Sequence, residues 1–179
     1  MKRNTNNGIS FISKRPKRQC VINNEPNPYP YILTIIDMQP TFFTSNYQPV
    51  KDAVEDLILK AMDDGAYIII AHFMKYGKTH NNLLNLVRNY KDRSLVYANK
   101  NDKSDAIMTK ILKKQIRTSF IKVCGVNTDA CVQATVTGLS KTLPDFQIEV
   151  IKNACNSYSS YDHNFGINEM ALLNNVIIQ

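Results

Sequence analysis

Val123-Cys124-Gly125-Val126-Asn127-Thr128-Asp129-Ala130-Cys131-Val132 reads as a buried strand, a tight turn and the opening of a helix. Thr128 suits an N-cap, and Asp129 suits the positive end of the helix dipole. Cys131 falls in that first helical turn. Unpaired backbone N–H groups and the dipole favour negative charge there, which biases a thiol toward thiolate. A lone Cys in a fold of this kind usually packs in the core, and this stretch alone favours that reading. The stretch is a strand-to-helix crossing, and the chain around it repeats that pattern.

Upstream, Tyr31–Asp37 is an apolar run closing in an acid, which suits a strand covered on both faces. Val50, Val54, Leu57, Ile58 and Ala61 fall at helical spacing, so 50–64 is expected to be an amphipathic helix ended by Gly65. Tyr67–His72 is a second buried strand, followed by a polar loop and a short helix over 80–90. Leu95–Ala98 is a third strand, Lys100–Ser104 a polar turn, and Ile107, Met108, Ile111 and Leu112 a helical stripe. Phe120–Val126 is the fourth strand, 128–143 a helix stopped by Pro144, and Gln147–Ile151 the fifth strand. A last helix over 161–174 precedes a final strand at Val176–Ile178. Strands alternating with helices imply a parallel sheet covered on both faces, with ligands beyond the carboxyl ends of the strands.

The chain has 179 residues, 44% of them hydrophobic, which fits one globular domain with a sizeable core. Its net charge of +7 is unevenly placed. Lys2, Arg3, Lys14, Arg15, Lys17 and Arg18 all precede the first acid, Glu25; the other 16 basic residues against 15 acids leave +1. Residues 1–29 therefore read as a basic, flexible N-terminal arm with a short strand conceivable at Ile9–Ile12, and residues 30–179 as the folded domain. The arm suits solvent first. Nucleic acid is not expected as a partner except through it, and its Lys-Arg-Pro-Lys-Arg run is weak evidence for nuclear targeting. No apolar run is long enough to span a membrane and no secretory leader is evident, so a cytoplasmic location is expected. Cys20, Cys124, Cys131 and Cys155 match no paired metal motif and are expected to be reduced. No G-x-G-x-x-G follows the first strand, which argues against dinucleotide binding.

Three polar residues stand at strand ends: Asp37 after the first, Lys100 after the third and Cys131 after the fourth. Each has an ordinary alternative. Asp37 suits a hydrogen-bond acceptor or ribose ligand, Lys100 a solvated turn, and Cys131 the core. Their joint position on one rim favours a site. Ile35-Ile36-Asp37-Met38-Gln39-Pro40-Thr41-Phe42-Phe43, Lys100-Asn101-Asp102-Lys103-Ser104-Asp105-Ala106 and the Val123–Val132 stretch resemble, in order, three motifs of the isochorismatase-like cysteine hydrolases. The resemblance runs from about residue 31 to the end. It implies a three-layer α/β/α, Rossmann-like fold with a six-stranded parallel sheet, commonly assembled as a homo-oligomer.

The resemblance also implies a catalytic triad of Asp37, Lys100 and Cys131. It further implies a cis peptide at Val126–Asn127 and an oxyanion hole built from the N–H groups of Asn127 and Cys131. Cys131 would need a lowered pKa, expected from the helix start and a nearby Lys100 ammonium. Gln39, Phe42, His72 and Tyr158 are the candidates for lining a small-molecule pocket. Nicotinamidases of the family carry a metal-binding Asp and His after the second strand. Here Phe73 and Lys75 stand in those places, and His72 and His80 make a poor ligand pair, so neither a metal nor another cofactor is expected. The expected activity is hydrolysis of a C–N bond in a small amide or carbamoyl compound through a thioester. The alternative is a catalytically silent binding or scaffold protein on the same fold.

Overall fold

The computed structural model describes residues 29–179. The expected arm, with its Ile9–Ile12 segment, lies outside the described residues but for Tyr29. Six parallel strands form one sheet: β1 (Ile32–Ile36), β2 (Tyr67–Phe73), β3 (Arg93–Ala98), β4 (Phe120–Val126), β5 (Gln147–Asn156) and β6 (Val176–Ile178), in the order β3-β2-β1-β4-β5-β6. Five helices connect them: α1 (Gln48–Asp63), α2 (Asn81–Leu86), α3 (Ser104–Lys114), α4 (Gln133–Thr142) and α5 (Ser160–Ala171). Helices α1 and α2 pack on one face, and on the other α4 contacts both α3 and α5. No described helix is long and apolar enough to cross a membrane.

This order follows from where the apolar runs must go. β1 is buried at every position, so it takes the centre with a strand on each side. The chain winds from β1 outward to β3, then returns to β1's other flank as β4. Between β1 and β4 the winding reverses, and open α/β sheets bind ligands beyond the carboxyl ends of the strands at such a point.

Gly125 makes that meeting close. It pairs with Ile36 across β1 and β4 at φ +125°, and a Cβ there would lie 2.0 Å from the Ile36 carbonyl oxygen. One residue on, Asp37 adopts φ 51°, a left-handed conformation that a short polar side chain tolerates. Its N–H still donates to the Ala71 carbonyl at 2.9 Å, so the turn begins directly off the ladder. β5 runs further than the expected Ile151, to Asn156. Its register against β4 shifts between Val123 and Gly125, and Gly125 pairs with Cys155. The irregularity carries the β5 end alongside the Val126–Asn127 peptide, which is cis.

Candidate active site

Beyond the reversal point Asp37 and Lys103 form an ion pair of 2.6 Å with both side chains fully buried. The Lys103 ammonium has three protons and three acceptors: Asp37 Oδ2, the Lys100 carbonyl at 3.2 Å and the Asn101 carbonyl at 3.1 Å. It also lies 4.7 Å from the centre of the Phe73 ring, a cation–π contact. The other carboxylate oxygen, Asp37 Oδ1, has no hydrogen-bond partner. Cys131, 3% exposed, lies close enough that the carboxylate and the thiol shift each other's titration. The Cys131 Sγ–H also points to Asn101 Oδ1 at 3.7 Å.

The lysine is a correction. Lys100 was expected in the triad, but its ammonium is exposed and paired with Asp105 at 2.7 Å. Lys103 precedes α3 directly, and the buried Ile107 and Ile111 follow it at intervals of four. That spacing puts Lys103 on the inner side of the helix start, a signal already present in the sequence. Lys100 lies three residues earlier, in the turn, and projects outward.

The state of the thiol is a second correction. Burial pushes Cys131 up to about 12, and the negative charge of Asp37 adds to it; Lys103 opposes with less effect. Desolvation therefore outweighs the helix start and the lysine. Asp37 is also raised, chiefly by burial, with Lys103 pulling it back down. At rest the site holds a neutral thiol beside a buried ion pair.

Helix geometry around Cys131 differs from expectation as well. Residues Thr128–Val132 form a π-helical turn, and Asn127 rather than Thr128 stands at the cap position. The Val132 N–H reaches back five residues to the Asn127 carbonyl at 3.0 Å. Such turns inside helices occur often at functional sites. Thr128 Oγ1 instead bonds His163 Nδ1 at 2.9 Å, and Asp129 accepts from Ser157. Thr44 Oγ1 donates to Asn127 Oδ1 at 2.6 Å.

Among the pocket candidates, Phe42 is half-buried in an aromatic cluster with Tyr76 at 4.9 Å and Phe73 at 6.5 Å between ring centres, beside the ammonium. Gln39 is placed otherwise. It is fully buried and spends its carboxamide on backbone, donating to the Phe73 and Gly77 carbonyls and accepting from the Phe73 N–H. His72 is buried with Nε2 bonded to Thr79 Oγ1 at 2.7 Å, and desolvation lowers its pKa. Tyr158 is exposed and lines a separate groove of about 1190 Å³ with Phe43, Tyr47, Asn156 and His163. None of Asp37, Lys103 and Cys131 lines that groove. The convergence of titratable groups, rather than open volume, makes Asp37, Lys103 and Cys131 the candidate site.

A metal does not fit here. Among the described residues no three His, Cys, Asp or Glu side chains cluster to hold one. Phe73 packs its ring against Phe42, Tyr76 and Lys103, and His80 Nε2 is engaged by Ser45.

Residues 31–179 match the family model described as Isochorismatase domain. No curated protein sequence matches. Solved structures of the same fold include a ribonuclease from Caenorhabditis elegans, with TM-score 0.73 and 18% identity over 86% of this chain and 79% of that one. They include a nicotinamidase from Staphylococcus aureus, with TM-score 0.72 and 13% identity over 84% of this chain and 99% of that one. A pyrazinamidase from Pyrococcus horikoshii in complex with zinc has TM-score 0.67 and 18% identity over 84% of this chain and 98% of that one.

Proposed function

The chain belongs to the isochorismatase domain family, and from that premise we propose that it is a metal-independent cysteine hydrolase. Its substrate is a small amide or carbamoyl compound, cleaved at the C–N bond. The observation that supports this most directly is the buried Asp37–Lys103 pair set beside the Cys131 thiol. Removing two charges from water is expensive, so a pair of this kind is poorly explained by stability alone.

Asp37 divides its two oxygens between two tasks. Oδ2 is held by Lys103, and Oδ1 is free to take the thiol proton. Moving that proton from Sγ to Asp37 leaves the net charge of the site unchanged. A thiol at about 12 can thus become a nucleophile inside the pair although it does not ionise alone. Burial raises Asp37 and so makes it a stronger base. The thiolate attacks the substrate carbonyl carbon, and Asp37 returns the proton to the leaving nitrogen. Water, deprotonated by Asp37, then hydrolyses the thioester and frees the thiol. The oxyanion would meet the N–H groups of Asn127 and Cys131, the latter in a first helical turn where such groups lack helical partners. Preorganised donors of this kind contribute about 3–4 kcal/mol at the transition state.

An ammonia-release screen over nicotinamide, ureido acids, biuret and maleamate tests the reading, with Cys131→Ser and Asp37→Asn as controls. Activity lost in both folded variants is the expected result. Activity in Cys131→Ser equal to that of the unaltered protein refutes it. One observation favours the silent binding protein instead: the large groove is apart from the triad. Ligand binding with no turnover of any carboxamide would decide for that alternative.

A further inference from the structure

Thr135 lies one helical turn beyond Cys131 and is fully buried. Its single hydroxyl meets three groups of the site. It donates to the Cys131 carbonyl at 2.7 Å and accepts from the Lys103 backbone N–H at 3.1 Å. The Asn101 carbonyl lies 3.3 Å away and competes for the same proton. A hydroxyl has one proton and two lone pairs, so the shorter contact to Cys131 takes the proton and the Asn101 contact is the weaker one.

The donation to Cys131 alone would be ordinary, because helical Thr often bonds the carbonyl four residues back. Acceptance from Lys103 is not ordinary. Lys103 stands before α3, where backbone N–H groups lack helical partners, and it receives its acceptor from a different helix. The same Lys103 sends its ammonium to Asp37. Helices α3 and α4 approach closely enough for this because Gly138 has no side chain: a Cβ there would lie 2.3 Å from Ser104 Oγ.

Resting on the hydrolase reading above, we propose that Thr135 is a positioning residue that sets the Lys103 ammonium against Asp37 in register with the Cys131 turn. It touches neither substrate nor reacting atoms. It joins the helix that carries the nucleophile to the residue that carries the cation, and its loss lets the two drift apart. Lys103 favours the thiolate, so displacement of the cation makes Cys131 less reactive.

The test compares Thr135→Val, Thr135→Ser and Lys103→Met with the unaltered full chain. The readout is the alkylation rate of Cys131 by iodoacetamide between pH 7.5 and 9.5, followed on the Cys131 peptide by mass spectrometry. Thermal unfolding is measured on the same samples. Thr135→Val should slow alkylation about fivefold, Thr135→Ser should stay within about twofold of the unaltered chain, and Lys103→Met should slow it more than either. Thr135→Ala replaces Val should the Val protein fail to fold. A Thr135→Val protein that melts lower yet alkylates as before, or alkylates faster, overturns the proposal while leaving the triad intact. If Lys103→Met also leaves the rate unchanged, both the positioning role and the triad fall.

Discussion

Lys103→Met removes the cation on Asp37 Oδ2 while keeping a side chain of similar length in the buried position. Both partners are fully buried, so the variant leaves an uncompensated carboxylate without solvent. Breaking such a pair from one side costs about 3–5 kcal/mol. For a chain of this size that corresponds to a fall in Tm of roughly 6–20 °C. The loss should depend on pH in a definite direction. Asp37 is already raised by burial, with Lys103 pulling it down, so removing Lys103 raises it further. A carboxyl raised in the folded state favours folding while protonated, and that advantage disappears as pH rises through its folded-state pKa. The deficit of Lys103→Met relative to the unaltered chain is therefore greatest at neutral pH and narrows on acidification. Hydrolysis of whichever carboxamide the screen identifies should fall at least about a hundredfold, because the base is no longer oriented. Lys100→Met is the matched control: its ammonium is exposed and paired only with surface acids, so Tm and rate should stay within error. Urea melts from pH 4.5 to 8 and ammonia release supply both readouts. A Lys100→Met protein that loses activity, beside a Lys103→Met protein that retains it, refutes the assignment of the lysine.

Alkali should destabilise the fold. Cys131 and Cys155 are each pushed up to about 12, mainly by burial. Their protonated forms thus support the fold below pH 9, and that support is lost as pH rises from 9 toward 12, by up to about 1.4 kcal/mol per pH unit for each thiol. Urea midpoints at pH 8 and 10.5 should show the drop, and Cys131→Ala should flatten it; parallel curves would count against buried, protonated thiols. Gly125→Ala should yield no folded protein, because the Ile36 carbonyl is backbone and has nowhere to go. Gly65→Ala, at φ +70° in open space, should cost only about 1–2 kcal/mol; equal losses at the two glycines would contradict the close approach of β1 and β4. Zinc titrated into the full chain should show no stoichiometric site, and a chelator should leave hydrolysis unchanged, whereas a tight site that His80→Ala abolishes would contradict the engagement of His80 Nε2 by Ser45.

The sequence by itself determined the alternation of strands and helices, because apolar periodicity is local, although β3 and β5 run longer and α2 shorter than the apolar runs suggest. It also determined that Asp37 and Cys131 would share a rim, since each closes or follows a strand of a parallel sheet. Position 103 was legible too, through its spacing to Ile107 and Ile111, yet the motif drew attention to Lys100. Only the tertiary structure decided which lysine meets Asp37, because that contact joins residues 66 apart and depends on which side of a helix start faces inward. The same holds for the titration of Cys131. Helix position argued for an acidic thiol, but desolvation by elements remote in sequence, together with the charge of Asp37, reversed the direction. Gln39 and His72 were polar residues near the right strand ends, and nothing local revealed that backbone and Thr79 would claim them. Tyr158 lines a different groove, just past the end of β5, which runs on from Ile151 to Asn156 and there pairs Cys155 and Asn156 with β4. Spacing along a chain states which residues can meet; burial and the partners each one finds there set what they can do.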